Sequence, residues 1–184
     1  MNFLNTRTAL KTLIDIFKDI KEKTILDIGA GEGYIYDVGT KSGAFVTGID
    51  PALLDSFSVD FKKTIPISFE DFNTISDTYT HPHYFDAAVC INTFPFIKFP
   101  REMIFKMVAL SDVCIFNIWG KNHSWSESSH ITTFTREEVE EIIEEIEKTH
   151  EVISFNEIDG ESVTKKDPHT KIPWHTFDVV IKKK

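Results

Sequence analysis

A chain of 184 residues that is 41% hydrophobic, 27% charged and 12% aromatic has the size and apolar content for one core, burying roughly 70% of its unfolded surface. Its formal net charge of -9 repels phosphate backbones and anionic lipid surfaces, which sets nucleic acid and membranes aside as partners. Two cysteines, Cys90 and Cys114, lie inside apolar runs; they are too few for a disulfide scaffold or a zinc knuckle, so a soluble protein of a reducing, cytoplasmic compartment is expected.

Leu10, Leu13, Ile14, Phe17 and Ile20 recur at helical spacing and predict an amphipathic helix over residues 6–21 within an N-terminal segment 1–22. Arg7, Lys11 and Asp15 interrupt the apolar residues there, so the segment reads as neither a signal-peptide core nor a membrane span. The run 24–29 (TILDIG) then predicts a buried strand, 34–43 a helix ended by Gly43, and 44–50 (AFVTGID) a second strand. Strand, helix and strand imply a parallel crossover. The pattern continues with strands over 64–69, 85–91 and 112–119 and a helix over 101–110, and near-continuous apolar strands of this kind suit a sheet covered on both faces.

Residues 119–134 (WGKNHSWSESSHITTF) show no period and read as a lid over an acceptor. After it, Thr135 is placed as an N-cap with Glu138 completing a capping box, and Val139, Ile142, Ile143 and Ile146 form the apolar stripe of a helix whose glutamates face solvent. Two last strands, 151–158 and 174–183, are expected to pair antiparallel across the loop 159–173. The expected fold is a single α/β domain over residues 1–184: a doubly wound, Rossmann-like, seven-stranded and mostly parallel sheet with an antiparallel C-terminal strand and helices on both faces.

Gly29, Gly31 and Gly33 follow the first strand and open a helix, the place where an open parallel sheet admits a ligand. Glycine takes positive φ and lets the backbone touch a ligand. A dinucleotide fingerprint needs its third glycine at position 34, where Tyr34 stands, and no Gly-Lys-Ser/Thr follows for a P-loop. The spacing is instead G-x-G-x-G preceded by Asp27, read as DIGAGEG. This resembles the first motif of the class I S-adenosylmethionine-dependent methyltransferases.

The resemblance implies that Gly29, Ala30, Gly31 and Gly33 wrap the methionine end of S-adenosylmethionine, with Asp27 fixing the loop and the cofactor's amino group. Asp50, at the end of the second strand, is implied at the ribose hydroxyls, where a carboxylate accepts charge-assisted hydrogen bonds. It is also placed to cap a helix ahead of Pro51. Asp71 and Phe72 are implied at the adenine ring, with Glu70 as the alternative through a shift of one residue. Asn92, Thr93 and Phe94 fall where donor meets acceptor. The sequence there, NTFP, departs from the Asn-Pro-Pro-aromatic pattern of nucleobase amine methylation and disfavours that substrate.

His123, Trp125 and His130 of the lid are candidates to touch the acceptor, and the two histidines are the candidate catalytic bases, which an oxygen or nitrogen acceptor requires. His81 and His83 lack a third ligand, so no metal is expected. The C-terminal region resembles the tellurite-resistance type of methyltransferase. Where that type carries arginine and histidine, this chain offers Lys165, Lys166, His169, Lys171 and His175, and lysine does not reproduce a guanidinium fork. His175 joins Phe94 and Trp125 as a candidate for binding the acceptor.

The function implied is transfer of a methyl group from S-adenosylmethionine to a small soluble acceptor by in-line displacement, in a monomer or homodimer. A regulatory module that binds S-adenosylmethionine without turnover is the alternative, and a nicotinamide oxidoreductase is the further rival that Tyr34 argues against.

Overall fold

The computed structural model describes residues 4–51, 64–72, 84–123, 131–163 and 171–184. Its first element, α1 (Thr6–Phe17), starts at a capping box in which the Asn5 side chain accepts from the amides of Arg7 and Thr8 while the Thr8 hydroxyl accepts from Asn5 N–H. The helix stops short of the predicted residue 21 because Lys18 takes φ 65°; Ile20, though buried, lies beyond the helix.

β1 (Thr24–Ile28), α2 (Tyr34–Lys41) and β2 (Phe45–Ile49) form the first crossover, and Gly43 at φ 83° turns the chain after α2. β3 (Thr64–Ile65) has two residues where six were predicted. Pro66 follows it and lacks the N–H that a ladder needs. β4 (Phe85–Cys90), a 3-10 turn at Phe94–Phe96, α3 (Pro100–Leu110) and β5 (Ser111–Trp119) continue the alternation. α4 (Arg136–Ile146) has the predicted capping box, with Glu138 N–H donating to Thr135 Oγ1 and Thr135 N–H to Glu138 Oε2, and buries Val139, Ile142, Ile143 and Ile146.

β6 (His150–Val163) and β7 (Lys171–Lys183) extend the last hairpin well into the residues predicted as loop. All seven strands join one sheet in the order β3-β2-β1-β4-β5-β7-β6. β7 runs antiparallel between β5 and β6, so the one reversed strand lies inside the sheet and not at its rim.

Two apolar layers cover the sheet. One packs α1 and α2 through Leu10, Leu13 and Ile35 onto Ile25, Ala87 and Ile115, and the other packs α3 and α4 through Ile104, Met107 and Ile142 onto Leu26, Phe116 and Phe177. Each such side chain removed from water contributes roughly 1.5–3 kcal/mol. At the opposite end from the glycine loop, Asp86 of β4 accepts from Thr24 N–H, Thr24 Oγ1 and Lys23 Nζ at 2.8, 2.9 and 2.8 Å, pinning the start of β1. Among the described residues, no helix is long and apolar enough to cross a membrane.

Candidate functional site

The strand order reverses between β1 and β4, so the loops leaving their carboxyl ends diverge and open a cleft. It has two lobes. One, of about 400 Å³, is walled by Gly29, Asp50, Ser68, Phe69, Glu70 and Phe96 among others; a second, of about 270 Å³, lies against Thr6, Asp27, Ala30, Gly31, Glu32 and Tyr34, with Gly29 and Ile91 common to both.

The glycines differ in what keeps them bare. Gly29 has φ 73°, and a Cβ there would lie 1.9 Å from Thr93 Oγ1, so the neighbour excluding a side chain is the protein's own threonine. Gly31, at φ 52°, has no atom of the described residues within 4 Å of where a Cβ would lie. Gly33, at φ 75°, lines neither lobe; its positive φ leads the chain into α2. The loop is held by Gly29 and Ala30 N–H donating to Ile49 O at 2.8 and 3.1 Å, and by Gly31 N–H donating to Asp50 Oδ2 at 2.8 Å.

Asp27 is 4% exposed, and its Oδ2 has no hydrogen-bond partner among the described residues. Burial first, and the charge of Asp50 second, push its carboxyl up to about 7. A buried, unsatisfied acceptor beside an open lobe fits a ligand that brings a donor, best a cationic one. Asp50 lines the larger lobe, at the other side of the glycine loop.

Asp71 and Phe72 do not line the cleft. Asp71 closes a turn with Ser68, accepting from its hydroxyl at 2.7 Å, and Phe72 is 5% exposed in the core. Phe69 and Glu70 wall the lobe instead. With β3 so short, the following turn is free to set which residues face the cleft, and it sets those that come earlier. Asn92 lines the lobe at φ 57°; its N–H donates to Asn117 Oδ1 at 2.7 Å, and its Oδ1 accepts from Asn117 Nδ2 at 2.9 Å and Trp119 Nε1 at 3.4 Å.

Phe94 is fully buried, edge-on to Phe116 at 5.6 Å, so it is unavailable to an acceptor. The 3-10 turn advances about a third of a turn per residue, and it is Phe96 that faces outward, 55% exposed and edge-on to Trp119 at 5.4 Å. Trp119 stacks on His123 with ring centres 3.8 Å apart. Burial, and then the neighbouring His175, hold the His123 imidazole below its ordinary value, so it is neutral at pH 7.

His175 is buried, with Nε2 2.9 Å from Glu157 Oε1 and 4.0 Å from Asp159 Oδ1. Gly120 makes room for its ring, since a Cβ there would meet His175 Nδ1 at 2.1 Å. Glu157, Asp159 and His175 bring their ligating atoms within 4.8 Å of one another, a convergence invisible in their spacing, and Arg136 already pairs with Glu157. The two ends of the 119–134 segment are joined by Phe134 N–H donating to Trp119 O and Lys121 N–H donating to Phe134 O, and Thr132 N–H donates to Pro95 O. Trp125 and His130, like His81, His83, Lys165, Lys166 and His169, lie outside the described residues.

Sequence reasoning missed Thr6 and Tyr34, which face the smaller lobe, and Phe96 and Ile97, which face the larger. The start of α1 was legible; that its first residue lies beside the glycine loop was not.

No family model matches this chain. Over 155 residues it is 26% identical to the ubiquinone biosynthesis O-methyltransferase of Hydrogenovibrio crunogenus, covering 78% of this chain and 61% of that relative, so it spans about three fifths of the relative's length. Its fold is similar to TehB from Haemophilus influenzae, with a TM-score of 0.70, 16% identity, and coverage of 96% of this chain and 62% of the other. It is similar as well to the magnesium protoporphyrin IX methyltransferase of Synechocystis PCC 6803 with bound S-adenosylhomocysteine, at a TM-score of 0.58, 10% identity, and coverage of 100% of this chain and 90% of the other.

Proposed function

We propose that this chain, which has the fold of the class I S-adenosylmethionine-dependent methyltransferases, binds S-adenosylmethionine in the cleft above β1 and β4 and transfers its methyl group to a small soluble acceptor. The observation that carries the reading is Asp27: a carboxylate buried at the end of a parallel strand with one oxygen unsatisfied among the described residues, beside a glycine loop that no described residue crowds at Gly31. A soluble fold has little reason to keep such a group unless a ligand supplies the missing donor.

When bound, S-adenosylmethionine supplies an electrophilic methyl carbon on a sulfonium. The residues of this chain then have separate tasks. Asp27, with the 29–31 loop, holds an ammonium group in the smaller lobe, where Thr6 and Tyr34 complete the wall. Asp50 accepts from ribose hydroxyls while keeping the loop in place through Gly31 N–H. Phe69, Glu70, Phe96 and Ile97 enclose the base. Asn92, locked by Asn117 and Trp119, aligns the place where the two substrates meet, and alignment with exclusion of water supplies most of what an in-line displacement needs.

On the acceptor side, Phe96, Trp119 and His123 form an aromatic wall, and a neutral His123 is in the protonation state to take a proton from an attacking hydroxyl or amine. This favours an acceptor that loses a proton as it attacks. The name of the Hydrogenovibrio relative, an O-methyltransferase, agrees with an oxygen acceptor.

The test is incubation with radiolabelled S-adenosylmethionine and a panel of phenols, amines, thiols and chalcogen oxyanions. Label is expected in a phenol or amine, with the rate falling as pH drops through the titration of His123. Tight binding of S-adenosylhomocysteine with no transfer to any of them would leave a binding module in place of an enzyme.

A further inference from the structure

We propose that Lys106, on α3 and not among the residues lining the cleft, is the positioning residue that fixes the wall against which the nucleoside end of the ligand rests. This rests on the reading of the cleft given above.

The wall is the turn that supplies Ser68, Phe69 and Glu70 to the larger lobe. It follows a strand of two residues, and Pro66 comes directly after that strand, so the sheet ladder does not extend to it. Its carbonyls are gathered from the other side. Lys106 Nζ donates to Phe69 O at 2.6 Å, Phe72 O at 2.6 Å and Glu70 O at 3.3 Å, and stands 4.8 Å from the centre of the Phe69 ring. An ammonium has three protons and no acceptor, so three converging carbonyls are its full complement.

Three converging acceptors call for a side chain with several donors, which an ammonium supplies at a single atom. The positions of α3 that pack on the same layer are Met103, Ile104, Phe105, Met107, Val108 and Leu110, and packing alone would be served by another apolar residue. Burial of the ammonium there holds Lys106 below its ordinary value, and the nearby Glu70 and Asp71 offset that only in part. The same turn is tied to the opposite wall, because Glu70 Oε1 accepts from Lys98 N–H at 2.8 Å, next to Phe96 and Ile97. Lys106 therefore sets one wall and, through Glu70, its separation from the other.

The experiment is calorimetry of S-adenosylhomocysteine and of adenosine with the full chain, its Lys106→Met variant, which keeps the length of the stem, and its Lys106→Arg variant, which keeps donors. Binding is measured well below every melting temperature. Lys106→Met is expected to weaken both ligands about tenfold or more, and Lys106→Arg to recover most of that loss. A contribution to global stability alone would lower the melting temperature and leave these affinities at the wild-type value, which would overturn the proposal. If Lys106→Met fails to fold, Lys106→Gln is put to the same measurement with the same two outcomes. Wild-type protein that binds neither ligand overturns the reading of the cleft and this inference together; wild-type binding with undiminished Lys106→Met binding overturns this inference alone.

Discussion

Asp27 carries the heaviest electrostatic demand among the residues of the cleft. Its folded carboxyl titrates near 7, against 3.8 as the ordinary value, because burial removes water from the charge and Asp50 repels it. A group raised in the folded state contributes stability that is complete below the unfolded value and is lost as pH rises through the folded one. We therefore expect unfolding free energy to fall between about pH 4 and about pH 7 by an amount on the order of 4 kcal/mol from this residue. Urea denaturation of wild type and Asp27→Asn across that range checks it: the variant should lack this decline. Ligand binding follows the opposite course, since an ammonium needs the carboxylate. Affinity for S-adenosylhomocysteine should fall roughly tenfold per pH unit below about 7 in the wild type and stay flat in Asp27→Asn.

The glycines make a second residue-scale prediction. Gly29→Ala meets both a positive φ and Thr93, whereas Gly31→Ala meets only the φ. Denaturation should show a loss of about 3 kcal/mol or more for the first and about 1 kcal/mol for the second. Equal losses would mean that Thr93 yields without cost. Asp50→Ala, measured by calorimetry, should weaken S-adenosylhomocysteine by roughly 1.5–3 kcal/mol, through loss of a charged acceptor and of the bond to Gly31.

At the scale of elements, the two capping boxes offer a controlled comparison. Asn5 caps α1, whose first residue, Thr6, faces the smaller lobe, while Thr135 caps α4 on the other layer. Asn5→Ala and Thr135→Ala should each cost about 1 kcal/mol of stability. Only Asn5→Ala should also weaken S-adenosylhomocysteine, and a calorimetric result that treats the two alike would detach α1 from the site. The same scale explains why Phe94 and Phe96 exchange roles. Both are aromatic and two positions apart, and only the pitch of the short turn between β4 and α3 decides which enters the core.

For the whole molecule, the cleft has partners from α1, β1, β2, the turn after β3 and the segment after β4, so a ligand there bridges both apolar layers. Anything that binds the folded chain alone raises its stability by mass action. At a hundredfold excess over Kd, S-adenosylhomocysteine should contribute about 2.7 kcal/mol and raise the melting temperature by roughly 5–10 °C, read by calorimetric scanning. An unmoved transition would remove the ligand from the cleft.

The alternation of apolar strands with amphipathic helices, the reversed last strand, and the carboxylate and glycines of the first loop were all set by the order of residues, because each depends on local periodicity or on a neighbour within a few positions. The resemblance to class I methyltransferases rested on that loop and led to the fold found. The length of β3, the side of each helix on which the cleft lies, Thr93 against Gly29, and the convergence of Lys106 on three carbonyls were decided by packing between elements distant in the chain. Whether a polar atom is satisfied depends on which distant atoms the sheet brings beside it. Asp27 shows this most clearly: its position is written in the motif, but its unsatisfied oxygen exists only once the surrounding strands have excluded water from it.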